Sequence, residues 1–168
     1  MNLTHILAPV DFSKDTSTAV SAALELASKT STKITLLHVL PVLYPGHLQP
    51  IFAYERQLKA LEVESEKQLR DLAGTIAPQV DVETALKGGP PWKAIVEFAG
   101  AHRVDLIVMP THGRSGLGHI LLGSVAERVV QHAPCNVLIV RSATTQTEPS
   151  GPTAENRKDA RVSCACPS

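Results

Sequence analysis

The sequence predicts an α/β domain: a five-stranded, mostly parallel, doubly wound sheet with helices on both faces. Two observations predict it. Short, nearly continuous apolar runs recur along the chain, and segments of helical period separate them. Strands buried on both faces read as unbroken apolar runs, because helices cover both sides of a parallel sheet.

The elements follow in order. Ile6-Leu7-Ala8-Pro9-Val10 is the first run. Beyond Ser13-Lys14-Asp15, Val20, Ala23, Leu24 and Ala27 share one helical face. Ile34-Thr35-Leu36-Leu37-His38-Val39-Leu40 is the second strand, and the Pro/Gly-rich residues 41–50 after it are placed to fold over a ligand. Leu58, Leu61, Leu69, Leu72 and Ile76 stripe a second helix. Val80-Asp81-Val82-Glu83-Thr84-Ala85-Leu86 alternates instead, which suits a strand at the sheet edge with one wetter face.

Gly88-Gly89-Pro90-Pro91 opens a third helix in which Ala94, Ile95, Phe98 and Ala99 face inward, with Trp92 packing at its start. Leu106-Ile107-Val108-Met109 is the fourth strand. The fourth helix starts near Ser124, carries Val125, Val129 and Val130, and stops at Pro134. Val137-Leu138-Ile139-Val140 is the last strand. This alternation calls for right-handed crossovers, and open sheets of this kind take ligands beyond the carboxyl ends of their strands, where the winding reverses.

Bulk properties narrow the function. The 168 residues fit one domain with a tail: the domain over 1–141, and a polar 142–168 expected to be disordered. Sixteen basic residues balance sixteen acidic ones, so no broad field favours nucleic acid or an anionic membrane. The start lacks a signal's basic and apolar regions, and no window approaches the ~18 apolar residues that span a bilayer, so a cytoplasmic location is expected. Cys135 reads as a small buried hydrophobe, and Cys164 and Cys166 as reduced thiols in the tail, too poor in further ligands for zinc.

The densest chemical signal follows the fourth strand: Met109-Pro110-Thr111-His112-Gly113-Arg114-Ser115-Gly116-Leu117-Gly118, then His119 to Leu122, then Gly123-Ser124-Val125-Ala126. Glycines let backbone N–H groups turn toward one point and let an anion approach. A helix start at Gly123-Ser124 adds unpaired N–H donors and the positive end of the dipole, and Ser124 adds a hydroxyl. Ser124-Val125-Ala126-Glu127 also matches a capping box, which requires no ligand. No Walker sequence is present, and the glycines follow the wrong strand for a dinucleotide fingerprint.

These residues resemble the universal stress protein family. Gly113, nine residues and Gly123-Ser124 match its nucleotide motif, with Pro110 standing where the first glycine belongs. Pro9-Val10-Asp11-Phe12-Ser13, His38-Val39 and the Ala133-Pro134-Cys135 segment leading into the last strand are also similar to that family. The resemblance implies a Rossmann-like sheet of strand order 3-2-1-4-5 that binds ATP or AMP. It places Asp11 by the ribose or phosphates, where it could meet Mg2+ or Mn2+ brought by the nucleotide. It gives Val39 backbone contacts to adenine, with Pro9, Val10 and Met109 nearby. Gly113, Gly123 and Ser124 would hold phosphate, and Val125 and Ala126 would add amides. Pro110 has no N–H to give; His112 and Arg114 could reach phosphate from the same loop.

Each residue has a structural alternative. Asp11 could begin an Asx turn, Val39 and Met109 could be core, and His112, Arg114 and His119 could be ordinary surface. Two functions of different class follow: a nucleotide-binding stress or regulatory module, and a homodimeric interaction protein of the same fold without nucleotide. Dimerisation is expected through the exposed last strand. No base–nucleophile pair stands at readable spacing, so catalysis beyond slow ATP hydrolysis is not expected.

Overall fold

The computed structural model describes residues 3–40, 51–76, 78, 80–111 and 122–141, with side chains from 54 onward in the second helix. The expected ligand-covering segment 41–50, the loop residues His112, Gly113, Arg114 and His119, and the tail with Cys164 and Cys166 lie outside the described residues.

Among the described residues nine elements alternate: β1 (His5–Val10), α1 (Lys14–Thr30), β2 (Lys33–Leu40), α2 (Ile51–Ile76), β3 (Val82–Gly88), α3 (Pro91–Ala101), β4 (Leu106–Pro110), α4 (Ser124–His132) and β5 (Asn136–Val140). The sheet runs β3-β2-β1-β4-β5, the order expected, and every neighbouring pair is parallel. "Mostly parallel" therefore becomes wholly parallel across these five strands.

Alternate residues of each central strand feed opposite layers, which is why the runs look unbroken. Ile6, Ala8, Val10, Ile34, Leu36 and Val108 join Ala19, Val20, Ala23 and Ala27 of α1 and Leu69 and Ile76 of α2. Leu7, Leu37, Ile107 and Met109 join Ile95, Phe98 and Ala99 of α3 and Ala126 and Val129 of α4. Each fully buried Leu or Ile contributes about 1.5–3 kcal/mol relative to exposure. β3 is an edge strand with Glu83, Thr84 and Lys87 exposed, as its alternation indicated.

Two helices close with the same device. Thr32 N–H reaches Ala27 O past Ser31 at φ 53°, and Val104 N–H reaches Ala99 O past Arg103 at φ 51°. These are Schellman closures, which require a left-handed residue at that position. Gly89, at φ 123°, does require glycine, and its amide ties the β3–α3 turn to Leu40 O. Pro91 then starts α3, where a missing N–H costs nothing.

Val130 is 48% exposed, because the buried stripe of α4 runs through Ala126 and Val129 and turns Val130 away from the sheet.

Candidate functional site

The site begins where two strands part. β1 pairs with β4 only at Ile6–Leu106 and Leu7–Ile107, whereas β1 follows β2 from His5 to Val10 and β4 follows β5 to Pro110. Beyond Leu7 the carboxyl ends of β1 and β4 are unpaired with each other. Chain connections leave this point in opposite directions, toward β2 on one side and β5 on the other, which makes it the topological switch point of the sheet.

On the β1 side, the turn into α1 presents Asp11. Its Oδ1 accepts the Ser13 N–H at 3.0 Å and the Thr16 hydroxyl at 2.7 Å, while its own N–H donates to Thr16 Oγ1 at 3.3 Å. The Asx turn that was the structural alternative is thus present. Such a turn fixes the carboxylate at the crevice rather than removing it. Sequence reasoning missed Thr16; the signal is a hydroxyl one turn into a helix that follows an Asp turn. Phe12 takes φ 61° in the same turn, and its ring lies 4.5 Å from that of His38.

On the β4 side, Thr111 organises the end of the strand. It is buried, its N–H donates to Val140 O at 3.0 Å, and its carbonyl accepts the Gly123 N–H at 2.8 Å. The Gly123 amide is therefore bonded internally, which corrects the expectation that it is an unpaired donor. Thr111 was also missed; a polar residue directly after a buried strand was the available signal.

Gly123 is the N-cap of α4 and Ser124 its first helical residue, so the capping-box register is off by one. The first ladder bond runs from Glu127 N–H to Gly123 O. The amides of Ser124, Val125 and Ala126 precede that ladder, as the first amides of every helix do, and they carry the positive end of the dipole. Gly123 sits at φ −69°, which any residue can adopt, so backbone freedom does not explain the glycine.

Pro110 ends β4 in register with Val140. Because Thr111 N–H points to β5, the nitrogen of Pro110 points the opposite way, toward β1, where the ladder has already ended. The proline thus costs the sheet no hydrogen bond, and it leaves the crevice one donor poorer.

Val39 and Met109 lie on one face, both packed into the layer beneath α3 and α4, with Met109 5% exposed and Val39 partly buried. Pro9 and Val10 reach the same carboxyl edge on β1. The structure therefore brings Pro9, Val10, Asp11, Val39, Met109, Pro110, Gly123, Ser124, Val125 and Ala126 to one end of the sheet. His112, Gly113 and Arg114 lie outside the described residues.

Among the described residues, no group of three or more His, Cys, Asp or Glu side chains could hold a metal ion. A divalent ion near Asp11 would need oxygens from a ligand, and Mg2+ commonly binds through one or two carboxylates plus phosphates.

The opposite end of the sheet is a different kind of polar cluster. His5 is buried; a carbonyl can only accept, so its Nδ1–H donates to His102 O at 3.2 Å, and Nε2 meets the Thr35 hydroxyl at 2.8 Å. Burial holds the imidazole below its ordinary pKa of 6.5. Asp105 Oδ2 accepts from the Thr4 hydroxyl and the amides of Thr4 and His5, and the Thr4 hydroxyl bond leads in lowering its pKa. Cys135 is half-buried rather than buried, and desolvation, then the Asp105 charge, pushes its thiol up. A thiol so shifted is a weak nucleophile. Trp92 packs at the start of α3 as expected, 5.2 Å from the His132 ring and 5.7 Å from the Arg128 guanidinium carbon.

Fold and geometry together define a doubly wound α/β protein in which a carboxylate turn follows β1 and a helix N-terminus follows β4 at the switch point. The family model of the universal stress proteins matches residues 2–141, and the chain belongs to that family. A universal stress protein of Methanocaldococcus jannaschii is 34% identical over 137 residues, 81% of each chain. The structure of the universal stress protein UspA from Lactobacillus plantarum superposes with a TM-score of 0.74 at 28% identity, over 84% of this chain and 99% of that one. A universal stress protein from Archaeoglobus fulgidus, solved in complex with dAMP, shares the fold at 22% identity and a TM-score of 0.61, over 83% and 98% of the two chains.

Among the described residues, no helix is long and apolar enough to cross a membrane.

Proposed function

We propose that this universal stress protein binds an adenine nucleotide, ATP or AMP, at the parted ends of β1 and β4, and works as a cytoplasmic stress-response or regulatory module. One observation carries the reading: β1 and β4 part after Leu7 and Ile107, and the Asp11 turn follows one of these strands while the start of α4, with the amides of Ser124, Val125 and Ala126, follows the other. Helix amides and dipole suit phosphate oxygens, and the Ser124 hydroxyl, on an exposed residue, adds a donor. Asp11 suits a ribose hydroxyl or an Mg2+ or Mn2+ ion carried by the phosphates. Val39 offers backbone contacts to the base, with Met109 on the same face, Val10 nearby on β1, and Pro9 and Pro110 at the edges. Gly113, His112 and Arg114 complete the phosphate side by resemblance to the family motif. The dAMP bound by the A. fulgidus protein agrees with an adenine ligand.

Calorimetry with ATP and Mg2+ tests this. Saturable heat is expected, and no heat at millimolar nucleotide would overturn it. Slow hydrolysis would need only bound phosphates and a positioned metal; phosphate release compared with Gly123→Val reads it directly.

A second reading has its own support. Pro110 gives no N–H, and the Gly123 amide is bound to Thr111, so the crevice has fewer backbone donors than the motif suggests. An interaction dimer without nucleotide would explain that economy. The same titration separates the two.

In either reading we place a homodimer at β5. Among the described residues neither edge strand pairs with a further strand, and the two edges differ in chemistry. β3 is guarded by Glu83 and Lys87, whereas β5 carries only Asn136 as a polar residue and exposes Leu138 at 38%. Charged edges repel pairing and apolar ones invite it.

A further inference from the structure

Resting on that reading of the crevice, we propose that His38 is a positioning residue. It sets the β1–α1 turn and thereby holds the Asp11 carboxylate at the mouth of the site.

Three non-glycine residues among those described have positive φ. Ser31 and Arg103 are explained by the closures of α1 and α3. Phe12, at φ 61°, directly precedes the N-cap of α1, where no C-terminal closure calls for a left-handed residue. It is a bulky side chain in a left-handed conformation, which persists only where the surroundings impose it. Its neighbours in sequence are Asp11 and Ser13, the two halves of the Asx turn.

His38 supplies the constraint. It is 5% exposed and faces Val10 across the β1–β2 ladder. Its Nδ1 lies 2.7 Å from Val10 O. A carbonyl only accepts, so Nδ1 carries the proton and donates. The same imidazole lies against the Phe12 ring at 4.5 Å and 38°. One side chain thus grips the backbone directly before Asp11 and the side chain directly after it. The ordinary alternative, a core histidine that merely satisfies itself, predicts no effect on Asp11.

The variants separate a donor from a space-filler. His38→Phe keeps an aromatic ring and removes the donor; His38→Asn keeps an N–H at the Nδ1 position and removes the ring. Two readouts are taken on the full chain: ATP·Mg2+ affinity by calorimetry, and hydrogen exchange of the Ser13 amide without nucleotide. In His38→Phe the affinity is expected to fall about tenfold, the scale of one buried hydrogen bond, with Ser13 exchange faster by a similar factor. His38→Asn is expected to recover most of both. Equal behaviour of wild type and His38→Phe would overturn the proposal, as would greater damage in His38→Asn than in His38→Phe, which would leave the side chain a space-filler.

If His38→Phe fails to fold, Phe12→Asn decides. Asparagine tolerates positive φ, so relief of strain alone predicts slower Ser13 exchange, and loss of the ring contact predicts faster exchange. If wild type binds no ATP, the proposed function falls, and the exchange measurements still test His38.

Discussion

Ser13 occupies the N-cap of α1, where a serine hydroxyl ordinarily accepts an amide of the first turn and stabilises by about 1 kcal/mol. Here no side-chain cap bond forms, and Ser13 Oγ is buried with no partner among the described residues. Asp11 has taken over the turn, drawing the Thr16 hydroxyl and the Ser13 amide to itself. A buried hydroxyl without a partner costs about 1–3 kcal/mol. Ser13→Ala is therefore expected to leave stability unchanged or raise it, read from urea midpoints. A loss near 1 kcal/mol would show that the hydroxyl caps the helix in solution. Gly123 gives a second prediction at this scale. Its φ suits any residue and its amide bond to Thr111 would survive substitution, so Gly123→Val should keep the melting temperature while lowering ATP affinity at least tenfold. A drop in stability with unchanged affinity would assign the glycine to the fold instead.

At the scale of elements, β1 and β4 are tied at their amino ends and parted at their carboxyl ends. The tie is polar: Asp105, just before β4, receives three bonds from Thr4 and His5 of the β1 start. His5 locks the same end through His102 O and Thr35. Its pKa is lowered on folding by burial, so the folded state disfavours the proton that the unfolded chain accepts. Above pH 6.5 both states are neutral and the contribution is whole; as pH falls below 6.5 the unfolded chain gains a proton first and stability drops. Asp105 shifts the same way: its depressed pKa gives stability above the ordinary 3.8 that is lost as pH falls through the lower folded value. Acid should thus weaken the protein in two stages. His5→Gln should abolish the earlier one, checked by denaturation midpoints between neutral pH and pH 5. An unchanged profile would remove His5 from the account.

The elements were legible in the chain because burial on both faces leaves a distinct signature. Ile34 to Leu40 and Leu106 to Met109 show it plainly, and the alternating β3 segment showed its edge position. Ladder ends were less legible: β3 starts at Val82 rather than Val80, because the Asp81 carbonyl already meets the Ile34 amide and sets the register. The exposure of Val130 was not legible, because apolar character alone does not fix which side of a short helix faces the sheet. In the site, strand-end residues and the α4 start were readable from position. Thr16, Thr111 and the grip of His38 were not, since each depends on a partner 5, 12 or 28 positions away.

For the whole molecule, the account joins a crevice at one end of the sheet to an open edge along one side. The edge makes a prediction of its own. Leu138→Lys places a charge where β5 is apolar and exposed, and should shift a dimer to monomer in light scattering; a wild type that is already monomeric at micromolar concentration would remove the interface. The crevice is the central claim, and amide NMR of the full chain with added ATP and Mg2+ reads it residue by residue. The account predicts saturable shifts concentrated at Ser124, Val125, Ala126, Asp11 and Val39, with the His5 and Asp105 end unmoved. Spectra that stay the same at millimolar ATP, or that change only away from the carboxyl ends of β1 and β4, would contradict it.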